Sequence, residues 1–382
     1  MKTRAAVLWG LGQPWKVEEI DLHPPKAGEV LVKMAAAGLC HSDEHLVTGD
    51  MVVPDEIRQQ LGLPETFPII GGHEGAGVVV EVGPGVTSVQ PGDHVSASFI
   101  PSCGRCRYCS TGRQNLCDLG ASAFTRGQIT DGTIRHFCGE HELNLMAKLG
   151  TFSEHTVVAE ASVIKVDADL PLDRVALVSC GVATGWGSAV ERAGTQAGDT
   201  VVVVGIGGIG INAVQGARMA GARRVIAVDP IEFKREKAME LGATHTFASM
   251  EEAVPAVMEM TWGQMADRVI MTPGVLYGEL MAGANDLCGK GGTMVVTGIA
   301  PITQTEASVN LFQLAMWQKE IKGTIFGSLN PRADIPRLLD LYRLGQLKLD
   351  ELITRRYSLD EINEGYQHMR DGTNIRGVIV FD

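Results

Sequence analysis

Long hydrophobic runs are missing from this chain. No stretch of 18 apolar residues occurs without interruption, and the N-terminal MKTRAAVLWG has neither a signal-type apolar core nor a cleavage site. Both absences argue against a membrane segment and lead to the expectation of a cytoplasmic protein. Clustered positive charge is missing as well. Lys and Arg number 33 against 45 Asp and Glu, a formal net charge of −12 with no basic block, so nucleic acid and anionic membranes are poor partners. Repeats and low-complexity segments are absent too. Cysteine is scarce: eight in 382 residues cannot make a disulfide framework, and their clustering points to metal instead. What remains is the composition of a soluble globular protein, 45% hydrophobic and 20% charged, of a length that implies two domains.

The most specific stretch is VVVVGIGGIGINAVQGARMAGARRVIAVD, Val201 to Asp229. Four valines without polar alternation suit a strand buried on both faces of a parallel sheet. Gly205, Gly207 and Gly210 then match G-x-G-x-x-G, with Gly208 and Ile209 inside the turn, and helix formers follow to Ala220. A side chain at Gly207 would keep a pyrophosphate away from the backbone N–H groups at the helix start. A second strand ends in Asp229, 19 residues after Gly210, where an acid can bond an adenosine ribose and repel a 2′-phosphate. That order of features predicts NAD(H) rather than NADP(H).

Two cysteine constellations carry metal chemistry. The first gathers Cys40 in GLCHSDEH, His73 in GGHEGAG and Cys180 in CGVATGWG. Two thiolates and one imidazole suit Zn²⁺, and three protein ligands leave a fourth position for substrate. Asp43 and Glu74 are candidate groups to orient the ligands or balance charge. The second is Cys103-x2-Cys106-x2-Cys109-x7-Cys117, four thiolates in 15 residues that can close a tetrahedral structural zinc site. An iron–sulfur reading is the rival, but the last spacing of seven, followed by Asp118, is not the ferredoxin one. Cys138 and Cys288 have no cysteine neighbours and are expected to be packing residues.

These stretches together resemble the zinc-dependent medium-chain alcohol dehydrogenases, and the likeness runs from GLCHSDEH to the terminal NIRGV. The segments GTIFG, NPRADIPRLL and NIRGVI look most like the actinobacterial nitrosoaniline-dependent branch, which holds its nicotinamide cofactor tightly. The resemblance implies a Rossmann doubly wound parallel sheet beside a GroES-like, mostly β catalytic domain. It implies a catalytic zinc on Cys40, His73 and Cys180, with Glu74 beside it and Asp43 bonded to the ligand sphere. Ser42 would hydrogen-bond the alcohol and His45 would pass its proton towards solvent. His41 and Arg376 would touch the cofactor pyrophosphate, Thr184 the nicotinamide side, and Lys234 the adenosine ribose with Asp229. Phe99, Phe152 and Ile299 would surround an alcohol or aldehyde, and the protein would be a homodimer or homotetramer. Runner-up functions are a formaldehyde-type oxidoreductase, acting on a thiol adduct or by dismutation, and a catalytically silent NAD-binding redox sensor.

The domain boundaries follow from the alternation of patterns. Short apolar runs such as Ala5 to Trp9 and Glu29 to Ala36 read as β structure, and residues 1–181 form a catalytic domain with its cysteine lobe at about 100–118. Residues 182–323 alternate strand and helix as a six-stranded cofactor domain. Amphipathic helices are expected at Ile335 to Leu344 and Leu359 to Asp371, and the family resemblance implies that residues 324–382 return to the catalytic domain. Thr48 to Phe67 reads as a polar loop, longer than in common relatives over Met51 to Thr66.

Overall fold

The computed structural model describes residues 1–382, with side chains for all but 122–124. The chain divides into two units. One comprises Met1–Cys180, Asn330–Tyr342 and Leu349–Asp382, the other Gly181–Leu329 and Arg343–Lys348.

The first unit is built on two sheets. The seven-stranded one runs Val163–Val166, His94–Ala97, Gly75–Val82, Glu29–Gly38, Arg376–Val380, Ile353–Tyr357, with His155–Ala159 also pairing Glu29–Gly38. Glu29–Gly38 (EVLVKMAAAG) is buried along almost its whole length, which its run of apolar and small residues permits. Val30, Val32 and Met34 pack there with Val79, Val95 and Val158. The register matters for function. Ala37 pairs with Gly75 and Gly38 with Val378, so the end of one strand and the starts of two others meet at one place. The second sheet orders His141–Glu142, His136–Cys138, Lys16–Leu22, Lys2–Leu8, Ile69–Ile70 and Asn144–Leu145.

Two elements differ from the sequence reading. The expected loop from Thr48 to Phe67 contains a short helix, Asp55–Gln60, with no buried residue. Its sequence, DEIRQQ, offers no apolar face for periodicity to detect; only Pro54 and the acids of the first turn mark it. The single amphipathic helix expected from Leu359 to Asp371 is instead a 3-10 turn, Leu359–Glu361, under a Ser358/Glu361 capping box, followed by helix Ile362–Arg370.

The second unit holds a six-stranded parallel sheet in the order His245–Phe247, Arg224–Val228, Thr200–Val204, Ala266–Met271, Cys288–Val296, Glu320–Gly323. This is the doubly wound order 3-2-1-4-5-6. All five residues of Thr200–Val204 are buried, as expected of a central strand.

Candidate metal centres and cofactor turn

Where the strands of the first unit converge, three short segments bring ligands together. Cys40 sits at the N-cap of helix His41–Thr48, two residues beyond strand Glu29–Gly38. His73 and Glu74 precede strand Gly75–Val82, and Gly38 N–H donates to Glu74 O at 3.1 Å. Cys180 lies in a wide π-type turn, Val178–Val182, after helix Leu172–Leu177. Gly75 N–H donates to Ser179 Oγ (3.2 Å), which ties that turn to the His73 segment. One ligand atom each from Cys40, His73, Glu74 and Cys180 lies within 4.8 Å of the others, and all four residues are buried. Gly38 makes this packing possible, because a Cβ there would stand 2.2 Å from Glu74 Oε2.

These crowded groups perturb one another strongly. Cys180 holds the Cys40 thiol well below its ordinary range against the opposing effect of burial, and His73 helps; the same contact with Cys40 pushes Cys180 well above. Burial would lower the His73 imidazole, but the charges of Asp43 and Cys40 outweigh it and raise it well above its usual value. Glu74 is pushed up to about 7 by burial, against the pull of Arg376. His73 Nε2 makes no directed hydrogen bond among the described residues. Soft donors packed in a dry site, one with an unused nitrogen, fit Zn²⁺, which would displace the protons they share.

The four-cysteine lobe has a different geometry. Cys103 Sγ is 3.9 Å from Cys109 Sγ, and Cys106 Sγ is 4.0 Å from Cys117 Sγ. A disulfide would require about 2.05 Å. Thiolates about 2.3 Å from a tetrahedral zinc stand about 3.8 Å apart, so the spacing fits four ligands of one ion. Backbone N–H groups of Cys106 and Cys109 point at Cys103 Sγ (3.3 Å) and Cys106 Sγ (3.4 Å), which favours thiolates.

In the second unit the glycine turn joins strand Thr200–Val204 to helix Gly210–Met219. Gly205 has φ 88° and no room for a Cβ, which would lie 2.6 Å from Thr272 O; a Cβ at Gly210 would be 1.9 Å from Gly205 O. Gly207 is the opposite case: its Cβ would meet nothing within 4 Å, leaving open space beside the turn, as close approach of a phosphate requires. Asp229 is buried; its Oδ2 accepts from Ile206 N–H (2.7 Å) and its Oδ1 from Ile231 N–H (2.9 Å). The acid therefore also braces the turn it was expected to serve.

Comparison with known proteins gives the same architecture. Residues 26–168 match the family model described as alcohol dehydrogenase GroES-like domain, and residues 208–343 that described as zinc-binding dehydrogenase. The chain is 56% identical over 380 residues to an NDMA-dependent alcohol dehydrogenase of Amycolatopsis methanolica, covering 100% of this chain and 99% of that one. Among solved structures it resembles an alcohol dehydrogenase zinc-binding domain protein from Burkholderia ambifaria (TM-score 0.90, 29% identity, 100% and 99% covered). It also resembles benzyl alcohol dehydrogenase from Acinetobacter calcoaceticus (TM-score 0.89, 29% identity, 100% of both chains). The chain belongs to the zinc-binding alcohol dehydrogenase family.

The remaining expected residues of this dehydrogenase are placed as follows. Ser42 Oγ is 3.7 Å from Cys40 Sγ. Asp43 is fully buried, accepting from Gly72 N–H at 2.7 Å and facing His73 Nδ1 at 3.0 Å, an ion-pair approach rather than a well-directed hydrogen bond. His41 and His45 stack edge to face at 5.0 Å. Phe99 stands edge-on to His73, with centroids 5.7 Å apart. Phe152, expected beside the substrate, is fully buried and packs against Trp15 and Tyr366.

Arg376, expected at the pyrophosphate, is 3% exposed and donates to Glu74 Oε2 and to Leu39 O (3.2 Å). In the second unit Thr184 is buried with no hydrogen bond to its Oγ1 among the described residues, and Ile299 is half-buried. Lys234 is half-buried on helix Glu232–Glu240, but it is the neighbouring Arg235 that donates to Asp229 O (2.8 Å) and Pro230 O (2.9 Å). Arg235 and Ser179 lie beside residues the sequence singled out, yet neither has a motif of its own.

Proposed function

We propose that this chain is a zinc-dependent alcohol dehydrogenase that moves a hydride between a primary or secondary alcohol and NAD(H). The observation that carries the reading is the buried Cys40–His73–Cys180 set with Ser42 Oγ 3.7 Å from Cys40 Sγ. Those three residues would hold one zinc per chain, and Cys103, Cys106, Cys109 and Cys117 a second, structural one. When bound, the first zinc supplies a Lewis acid that acidifies a substrate hydroxyl, and the nicotinamide supplies the hydride acceptor.

The chain's own residues do the rest. Ser42 Oγ takes the hydrogen bond of the alcohol. His45, one helical turn further on, carries the proton onward, since histidine is the side chain that exchanges protons near neutral pH. Asp43 fixes the His73 ring, while Phe99 shields one side of it and offers apolar surface to the substrate carbons. Glu74 and Arg376 balance charge beside the ligands. In the second unit the Gly205–Gly210 turn would take the pyrophosphate, Asp229 and Lys234 the adenosine ribose, and Thr184 the nicotinamide side; in the first unit His41 and Arg376 are the candidates for cofactor phosphate. The half-buried Ile299 adds apolar surface for substrate.

The Amycolatopsis relative is named NDMA-dependent, and for this chain a nitrosoaniline acceptor with a tightly held cofactor is proposed. Self-association as a dimer or tetramer is supported by exposed Leu311, Phe312 and Met316 on the second unit, whose sheet ends in strand Glu320–Gly323. Among the described residues no helix is long and apolar enough to cross a membrane; a cytoplasmic location is proposed on the likeness to the dehydrogenase relatives. Full-length likeness to an alcohol dehydrogenase weighs against the thiol-adduct and silent-sensor readings.

Denaturing the purified holoenzyme and assaying the supernatant for NAD tests the cofactor, and turnover of ethanol to octanol and of benzyl alcohol tests the substrate class. NADP in the supernatant, or no alcohol oxidised with either free NAD or a nitrosoaniline as acceptor, would overturn the proposal.

A further inference from the structure

The His41–Thr48 helix ends in a way that reaches beyond helix termination. Gly49 takes the left-handed conformation (φ 93°) and donates its N–H to His45 O (3.1 Å), and Met51 N–H returns to the same carbonyl (3.2 Å). This glycine cap, open to a residue without a Cβ, reverses the chain so that Asp50 folds back over the last turn. Asp50 Oδ2 lies 3.0 Å from His45 Nδ1 and 2.6 Å from Thr48 Oγ1. His45 is 1% exposed. The hydroxyl of Thr48 and the His45 contact both hold the Asp50 carboxyl below its usual range. A carboxylate can only accept, so Nδ1 must carry the proton.

We infer that Asp50 is a positioning residue that fixes the tautomer and plane of the His45 imidazole, leaving Nε2 as the nitrogen that receives and releases the proton. This rests on the proton-path reading of His45. Nε2 gains the proton, a transient imidazolium forms with its Nδ1–H still on Asp50, and Nε2 then gives the proton to solvent. The ring of His41, 5.0 Å away on the same helix, also stands against it. Thr48 Oγ1 donates to the same carboxylate oxygen that faces His45, and Gly49 sets the distance. None of these residues belongs to either cysteine constellation.

The test is a double-variant cycle on the zinc-replete holoenzyme, with Asp50→Asn, His45→Gln and the pair, combined with ¹⁵N-histidine NMR in which His45→Gln assigns the signal. Asp50→Asn should lower kcat about tenfold with little change in KM, zinc content or Tm. Asp50→Asn should have no further effect in the His45→Gln background, because it acts only through that ring. The wild-type His45 signal should be that of the Nδ1–H tautomer, and it should change in Asp50→Asn. An unchanged tautomer in Asp50→Asn, or losses that multiply in the pair, would overturn the positioning role. A His45→Gln enzyme with wild-type kcat would overturn it differently, by removing the proton path itself while leaving the NMR pairing visible.

Discussion

Substituting Asp43 by Asn tests the support of the first metal site. Asp43 is fully buried and presents one oxygen to Gly72 N–H at 2.7 Å and the other to His73 Nδ1 at 3.0 Å, the latter as an ion-pair approach. The position therefore needs two acceptor oxygens. An asparagine has one acceptor and one donor, so whichever way its amide is turned, an NH₂ faces either Gly72 N–H or the protonated nitrogen of His73. The lost contact to a charged group is worth about 1.5–3 kcal/mol, or roughly 10- to 150-fold in an equilibrium constant. That agrees with the usual cost of about 10- to 100-fold in metal affinity when the partner of a ligating histidine is removed. The assay is competition for zinc with a chromogenic chelator, in which the four-cysteine site serves as an internal reference. Asp43→Asn should release one zinc per chain at a chelator concentration that leaves the other in place, and turnover should fall with that release. Wild-type affinity at both sites would refute the reasoning.

Three further outcomes are expected. Cys106→Ser should lower zinc content by one ion and reduce Tm, because folding of the lobe is coupled to its metal; an unchanged Tm in a calorimeter would contradict this. Asp229→Ser should improve NADP use relative to NAD by removing the charge that repels a 2′-phosphate, read as the ratio of the two in cofactor reconstitution. His136 is buried, with its Nε2 3.2 Å from Thr156 Oγ1, and burial, aided by the charge of Arg135, pushes its pKa down to about 3. The folded state leaves it neutral while the unfolded chain protonates it below about 6.5, so its contribution is complete above that pH and is lost as pH falls towards 3. The slope is up to about 1.4 kcal/mol per pH unit. Urea midpoints at pH 7 and 5 should differ less for His136→Gln than for the wild type, and equal differences would refute the assignment.

Much of the fold could be read from local pattern. The apolar run VVVV, the glycine turn and the acid closing the next strand name a doubly wound sheet, because each feature answers a need of one strand–turn–helix unit. The cysteine lobe was legible because its ligands lie within 15 residues. What stayed hidden depends on contacts distant in sequence or on local polar geometry. The Glu74–Arg376 ion pair joins residues 302 apart, and only the Val378–Gly38 register brings them together. Helix Asp55–Gln60 buries nothing and so leaves no periodic trace. Phe152 shows the limit most clearly, since its partners Trp15 and Tyr366 come from opposite ends of the chain.

The central claim is that Cys40, His73 and Cys180 hold a zinc at which an alcohol reacts, separate from the zinc of the four-cysteine lobe. Elemental analysis of the purified wild type and of Cys180→Ser, each with turnover measured on the same sample, tests it most directly. The account predicts two zinc ions per wild-type chain, and a Cys180→Ser protein that keeps its fold and its lobe zinc but has no turnover. One zinc in the wild type, or an active Cys180→Ser enzyme, would contradict it.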